Sequence, residues 1–101
     1  MISQLEKLLG TPRDGALLRY SLGLEYAKAG NDARAIEYLR EAVARDPLYS
    51  AAWKALAKAL GESREALEAY HRGIAAAKQK GDRQAEKEMT VFARRLEKKL
   101  T

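Results

Sequence analysis

Residues 30–43 of this chain read GNDARAIEYLREAV, and the same pattern returns thirty-one positions later as GESREALEAYHRGI in residues 61–74. In each copy a glycine precedes a run whose apolar residues recur every three or four positions, the spacing of one face of an α-helix. A second match lies upstream at an offset of thirty-four and pairs residues 22–26 with residues 56–60. Each repeat is therefore predicted to be a helical hairpin. A single hairpin cannot bury its own apolar face, so the two hairpins must stack.

The repeats resemble the tetratricopeptide repeat family, whose unit of roughly 34 residues has Trp-x-x-Leu-Gly-x-x-Tyr, then Ala-x-x-x-Phe, then Pro. The first unit, residues 16–49, carries this pattern at Leu22, Gly23, Tyr26, Ala35, Leu39 and Pro47. The second unit, residues 50–80, carries it at Trp53, Leu56, Leu60, Ala66 and Tyr70. Arg19 replaces the tryptophan of the first unit. The second unit lacks the proline and is three residues shorter between Leu60 and Ala66.

The resemblance implies an all-α fold in which antiparallel helical hairpins stack as a short right-handed solenoid with terminal capping helices. We expect one domain over residues 1–101, with an N-terminal helix over 2–9 and a C-terminal capping helix over 82–100. Two prolines and no cysteine among 101 residues agree with a helical chain that has no disulfide and no thiolate metal site. No secretory leader or membrane-spanning run is recognisable, so a cytoplasmic, non-membrane protein is expected.

Helix limits follow from the usual start and stop residues. Thr11 and Pro12 are typical of a helix start, and Asp32 and Ser63 are predicted to cap the helices that begin the second half of each repeat. The last helix carries one apolar stripe, formed by Ala85, Met89, Phe92, Leu96 and Leu100. We expect this stripe to pack on the second hairpin as a terminal cap. Dimerisation or partner docking through the stripe is the alternative.

The net charge of +5 lies entirely in the second half of the chain. Residues 1–50 hold seven basic and seven acidic residues, whereas residues 51–101 hold twelve basic and seven acidic residues. Such a surface can keep a helical protein in solution, or it can attract acidic proteins or nucleic acid. A nucleic-acid site would use Lys54, Lys58, Arg83, Lys87, Arg94 and Arg95. It lacks the interleaved exposed aromatic residues that single strands require, because Trp53 and Phe92 are predicted to lie in the core.

No residue pattern in the chain predicts catalysis. The one histidine, His71, has no neighbour placed to orient it as a general base, and Glu62, Glu65 and Glu68 lie where acidic residues suit a helix start. The sequence has no metal-ligand spacing and no phosphate-binding glycine loop. We therefore expect no enzyme activity, no cofactor and no metal.

The resemblance implies a groove along the first helix of each unit, where family members bind partner segments. Six residues are expected to contact the partner, namely Leu17, Tyr20, Leu24, Lys54, Lys58 and Met89. Tyr20 offers a broad apolar surface of the kind enriched among residues that dominate binding energy. The groove is predicted to take an acidic or amphipathic peptide or protein segment, with the protein itself a monomer or weak homodimer.

Two alternatives and one exclusion accompany this prediction. Leu17 and Leu24 could instead pack beneath the N-terminal helix and partly fill the groove. The protein could also be a self-associating scaffold. Tyr20 and Leu24 occupy places where chaperone-binding family members have a lysine and an asparagine that hold a terminal carboxylate, so that activity is not carried over.

Overall fold

Six helices and short turns make up the chain, and the computed structural model describes residues 1–101. The helices are α1, Ile2–Glu6; α2, Ala16–Lys28; α3, Asp32–Arg45; α4, Ser50–Ala59; α5, Arg64–Lys80; and α6, Arg83–Leu100. The all-α class predicted from the sequence is confirmed. No helix combines the length and apolar character needed to cross a bilayer.

The helices form stacked hairpins, α2 with α3 and α4 with α5, and α6 packs on α5. The backbones of α2 and α4 approach each other, as do those of α4 and α6, whereas the backbones of α3 and α5 stay apart. Because the first helices of successive hairpins lie closer together than the second helices, the array curves toward the row formed by α2, α4 and α6. The result is an elongated body of 42 × 29 × 18 Å.

The helices begin and end near the predicted start and stop residues, with three differences. Ser63 caps α5 by accepting a hydrogen bond from the backbone of Ala66. Asn31, and not Asp32, caps α3, because its side chain reaches the backbone N–H at the third helical position. α1 ends at Glu6 instead of residue 9, since the chain tightens into turns that end at Gly10 with a φ of 76°. Thr11 and Pro12 belong to that turn, and α2 begins only at Ala16.

The core depends on two close helix approaches made possible by glycine. A Cβ at Gly23 in α2 would lie 2.5 Å from Cγ of Leu39 in α3. A Cβ at Gly73 in α5 would lie 2.5 Å from the sulfur of Met89 in α6. Because neither glycine has a side chain, the backbone of α2 packs directly against Leu39 of α3, and the backbone of α5 packs directly against Met89 of α6.

The apolar stripe of α6 is turned inward. Met89, Ala93 and Leu96 are buried, and Phe92 packs against Tyr70 of α5 with ring centroids 5.9 Å apart. α6 therefore packs on the second hairpin through this stripe, of which Ala85, Phe92 and Leu100 remain partly exposed.

Candidate partner-binding groove

A cavity of about 260 Å³ lies between α2 and α4, on the side toward which the array curves. We call it the α2–α4 groove. It is lined by Tyr20, Leu24, Ala27, Asp32, Leu39, Ala51, Lys54, Ala55, Lys58 and Ala59. α2 and α3 contribute the larger apolar residues, and α4 contributes alanines and both lysines. The groove is thus an apolar trough with cationic groups along one wall.

Four of the six predicted contact residues, Tyr20, Leu24, Lys54 and Lys58, line this cavity together. They come from two helices and meet because the hairpins stack in the register that the repeat offset predicts.

The other two predicted contact residues do not line the groove. Leu17 lies on α2 outside it and is 69% exposed. Met89 is fully buried against Gly73, so it cannot contact a partner, and its prediction as a site residue is wrong. The idea that Leu17 and Leu24 pack beneath the N-terminal helix is also wrong. α1 packs instead on Leu18 and its neighbours on a different face of α2.

Both groove lysines have neighbours within the protein. Nζ of Lys54 lies 3.6 Å from a carboxylate oxygen of Glu88 on α6, and the Lys54 side chain is 29% exposed. Nζ of Lys58 lies 5.3 Å from the ring centroid of Phe92 and has no carboxylate partner. A cation over an aromatic face is attracted to it but keeps its charge available to an anion. Lys58 is therefore the more accessible cation of the groove.

Glu88 is the residue of this region that the sequence pattern did not single out. It precedes the buried Met89 and faces Lys54, and it lines a separate small pocket beside the groove, so a carboxylate lies where an apolar residue was predicted. One sequence feature could have indicated it: Glu88 falls three residues after Ala85, so it lies on nearly the same face of α6 as the residues predicted to continue the groove.

Tyr20 is held in place by an aromatic neighbour. Its ring centroid lies 4.9 Å from that of Tyr49, which precedes α4, and the two rings are tilted by 45°. Burial raises the pKa of Tyr49, and the nearby Tyr20 raises it further. Tyr20 presents its ring to the groove beside Tyr49.

A larger cavity of about 500 Å³ opens on the opposite side, where α3 and α5 stand apart. Its wall is Trp53, predicted as a core residue but only partly buried, whose indole N–H donates to the carbonyl of Pro47 at 2.8 Å. Rim charges are already paired within the chain, Arg40 with Glu65 at 3.1 Å and Arg72 with Glu68 at 3.2 Å. The rim of this cavity therefore balances two cations with two carboxylates, whereas the lining of the smaller groove carries two lysines and one aspartate.

Stacked helical hairpins with a groove along their first helices define a helical-repeat scaffold, a class whose members generally act by holding other proteins. Comparison with known proteins identifies the family. The tetratricopeptide repeat model matches residues 16–59. A TPR repeat-containing protein of Pseudomonas aeruginosa is 49% identical over 104 residues, which cover all of this chain and 99% of the relative. The chain belongs to the tetratricopeptide repeat family.

Solved structures agree with this assignment. A protein of Bordetella parapertussis, solved in solution, has a TM-score of 0.82 and 41% identity, covering 98% of this chain and 89% of its own. A tetratricopeptide repeat domain protein of Salinibacter ruber has a TM-score of 0.76 and 28% identity, covering 83% and 97%. An uncharacterized protein of Methanocaldococcus jannaschii is 40% identical over 62 residues, 58% of this chain and 72% of the relative. Tetratricopeptide repeats generally mediate protein interactions and are generally not catalysts.

Proposed function

We propose that this protein is a non-catalytic interaction module whose α2–α4 groove binds an acidic or amphipathic segment of a partner protein. The observation that carries the proposal is the meeting of Tyr20, Leu24, Lys54 and Lys58 around one cavity. Aromatic and aliphatic surface next to unburied cations suits a segment in which an apolar side chain lies close to an aspartate or glutamate.

The charges of the groove set the direction of such a segment. Lys54 and Lys58 lie along α4, whereas Asp32 lines the cavity from the start of α3. A partner carboxylate would therefore be placed over α4, and a partner cation would be favoured near Asp32. Lys54 must exchange Glu88 for the incoming carboxylate. This costs little, because an ion pair at 3.6 Å with partly exposed groups contributes no more than about 1 kcal/mol.

Selection of displayed random peptides tests the proposal without knowledge of the partner. Wild type should enrich peptides that carry an acidic residue beside an aromatic or aliphatic one. The variant with Lys54→Glu and Lys58→Glu should lose them. A matched variant with Lys78→Glu and Lys80→Glu, exposed residues at the end of α5, should keep them.

The matched variant separates groove recognition from general attraction to the basic half. Each double charge reversal changes the net charge by −4, from +5 to +1. Binding that depends only on net charge, as for non-specific nucleic-acid binding, should fall similarly in both variants and decline steeply with salt. Equal losses in the two variants would contradict the groove proposal.

A further inference from the structure

A cluster of hydrogen-bond donors lies at the N-terminal end of the array, on the face of the first hairpin that α1 covers. One carboxylate oxygen of Glu6 in α1 accepts hydrogen bonds from the hydroxyls of Tyr26 at 2.7 Å and Tyr38 at 3.2 Å. The guanidinium of Arg34 reaches the same oxygen at 3.5 Å. These three donors, from α2 and α3, form a site for one carboxylate.

The three donors of the site also contact one another. The rings of Tyr26 and Tyr38 are stacked, with centroids 5.7 Å apart and planes 13° apart. The guanidinium carbon of Arg34 lies 5.4 Å from both ring centroids. The hydrogen bond from Tyr26, with those from Tyr38 and Arg34, lowers the pKa of Glu6, so the bound group is a carboxylate at neutral pH.

The segment that fills this site is small compared with the surface it covers. α1 is five residues long and none of its residues is buried. Beneath it lie Leu18, Leu22 and Tyr38, which are at most 7% exposed. Half-buried apolar residues on and just after α1 pack on this face, namely Ile2, Leu5, Leu8 and Leu9. Detachment of α1 would expose an apolar face with a carboxylate site on the hairpin, and the released segment would carry Glu6 together with its own apolar residues.

We propose that this end face is a docking site for α1 of a second copy of the chain, so that two copies exchange their first helices. A chain whose α1 has detached carries both the free α1 and the free end face. Two such chains can each place α1 on the end face of the other and form the same contacts that α1 makes within one chain. Exchange of an identical element is a low-cost route to a dimer. Each copy then supplies Glu6 to the Tyr26, Tyr38 and Arg34 of the other.

The connector between α1 and α2 sets how readily exchange occurs. Asp14 accepts hydrogen bonds from the backbone N–H of Gly10 and from Arg19, both at 2.9 Å, and this holds the connector folded back. A short tether also gives the chain's own α1 an effective concentration of about millimolar. The wild-type protein is therefore a monomer when dilute and exchanges as its concentration approaches that range.

Charge-mismatched variants remove the competition from the chain's own helix. Glu6→Lys places a cation against Arg34, and Arg34→Glu places an anion against Glu6, so neither variant closes well on itself. In an equimolar mixture, residue 6 of each variant meets a residue of opposite charge at position 34 of the other variant. The double variant with both changes restores the pairing within one chain and serves as the control.

Sedimentation velocity of the full-length proteins reads the outcome. The expected result is a species of twice the monomer mass in the mixture, with monomer in each single variant and in the double variant. Asp14→Ala in the otherwise wild-type chain should raise the dimer fraction severalfold, because it frees the connector and leaves the docking site intact. A mixture that stays monomeric up to about 1 mM, or no rise with Asp14→Ala, would overturn the proposal.

Discussion

The close contact between α2 and α3 makes Gly23→Ala a sharp test of the hairpin. The added Cβ would lie 2.5 Å from Cγ and 2.7 Å from Cδ2 of Leu39, well inside ordinary contact distance, and Leu39 is fully buried. Inserting a methyl group into a packed core costs typically about 1–3 kcal/mol. Alanine regains about 0.8–1 kcal/mol of helix propensity over glycine. The net change in the free energy of unfolding should be a loss of roughly 0–2 kcal/mol.

Thermal and urea denaturation followed by circular dichroism would measure this change. For a chain of this size, a loss of 1 kcal/mol lowers Tm by about 4–8 °C. Leu39 also lines the α2–α4 groove, so a displaced Leu39 should alter peptide binding in the same variant. Loss of stability with unchanged binding would mean that Leu39 moves away from the groove.

A double-mutant cycle identifies Leu39 as the cause. Leu39→Ala alone should cost about 2–5 kcal/mol, because it leaves a cavity. In the double variant the methyl group added at position 23 enters space that the leucine side chain has vacated. The sum of the two single-variant losses in free energy of unfolding should then exceed the loss in the double variant by about 1 kcal/mol. Gly23→Ala raising the stability by the full helix-propensity gain would refute the close approach of α2 and α3.

Two further predictions concern stability and pH. The pKa of Glu6 is lowered from its ordinary value of 4.5, so the stability that ionised Glu6 adds to α1 packing is complete above that value and is lost as the pH falls through the lowered pKa. Amide chemical shifts of residues 2–9 should therefore report release of α1 in acid. The Glu6→Gln variant should lack that transition. Trp53 is only partly buried, so Trp53→Ala should cost about 2–3 kcal/mol, below the 3–5 typical of a fully buried tryptophan; denaturation should show a reduced midpoint, and no change would mean that its packing and its hydrogen bond to Pro47 do not stabilise the fold.

The fold was predictable because the repeat spacing is redundant. Two independent offsets, thirty-one for the second helices and thirty-four for the first, predict the same pair of hairpins. Gly23 falls at the family's glycine position, and the Leu39 side chain packs against it where a Cβ would lie. Local periodicity decides which helix faces are apolar, and stacking leaves few other ways to bury them.

The placement of α6 was harder to predict from the sequence. Met89 belongs to the apolar stripe and also fell in the expected groove row, and the sequence alone does not decide between the two. Gly73 decides it, because the missing side chain lets α6 approach α5 until the Met89 sulfur packs against it where a Cβ would lie. Glu88 then faces Lys54. The carboxylate site at the end face was likewise hidden, because Glu6 meets Tyr26 and Tyr38 at separations of 20 and 32 residues.

These two features give the terminal helices a role beyond closing the core. α1 supplies Glu6 to the first hairpin, and α6 supplies Glu88 to Lys54, so each end of the array places one carboxylate on cations or hydroxyls of its neighbour. Both contacts are partly exposed and therefore weak enough to be exchanged for a carboxylate from another chain. In both proposed interactions, specificity would depend on how well an incoming segment replaces the acidic residues Glu6 and Glu88 that the chain's own helices provide.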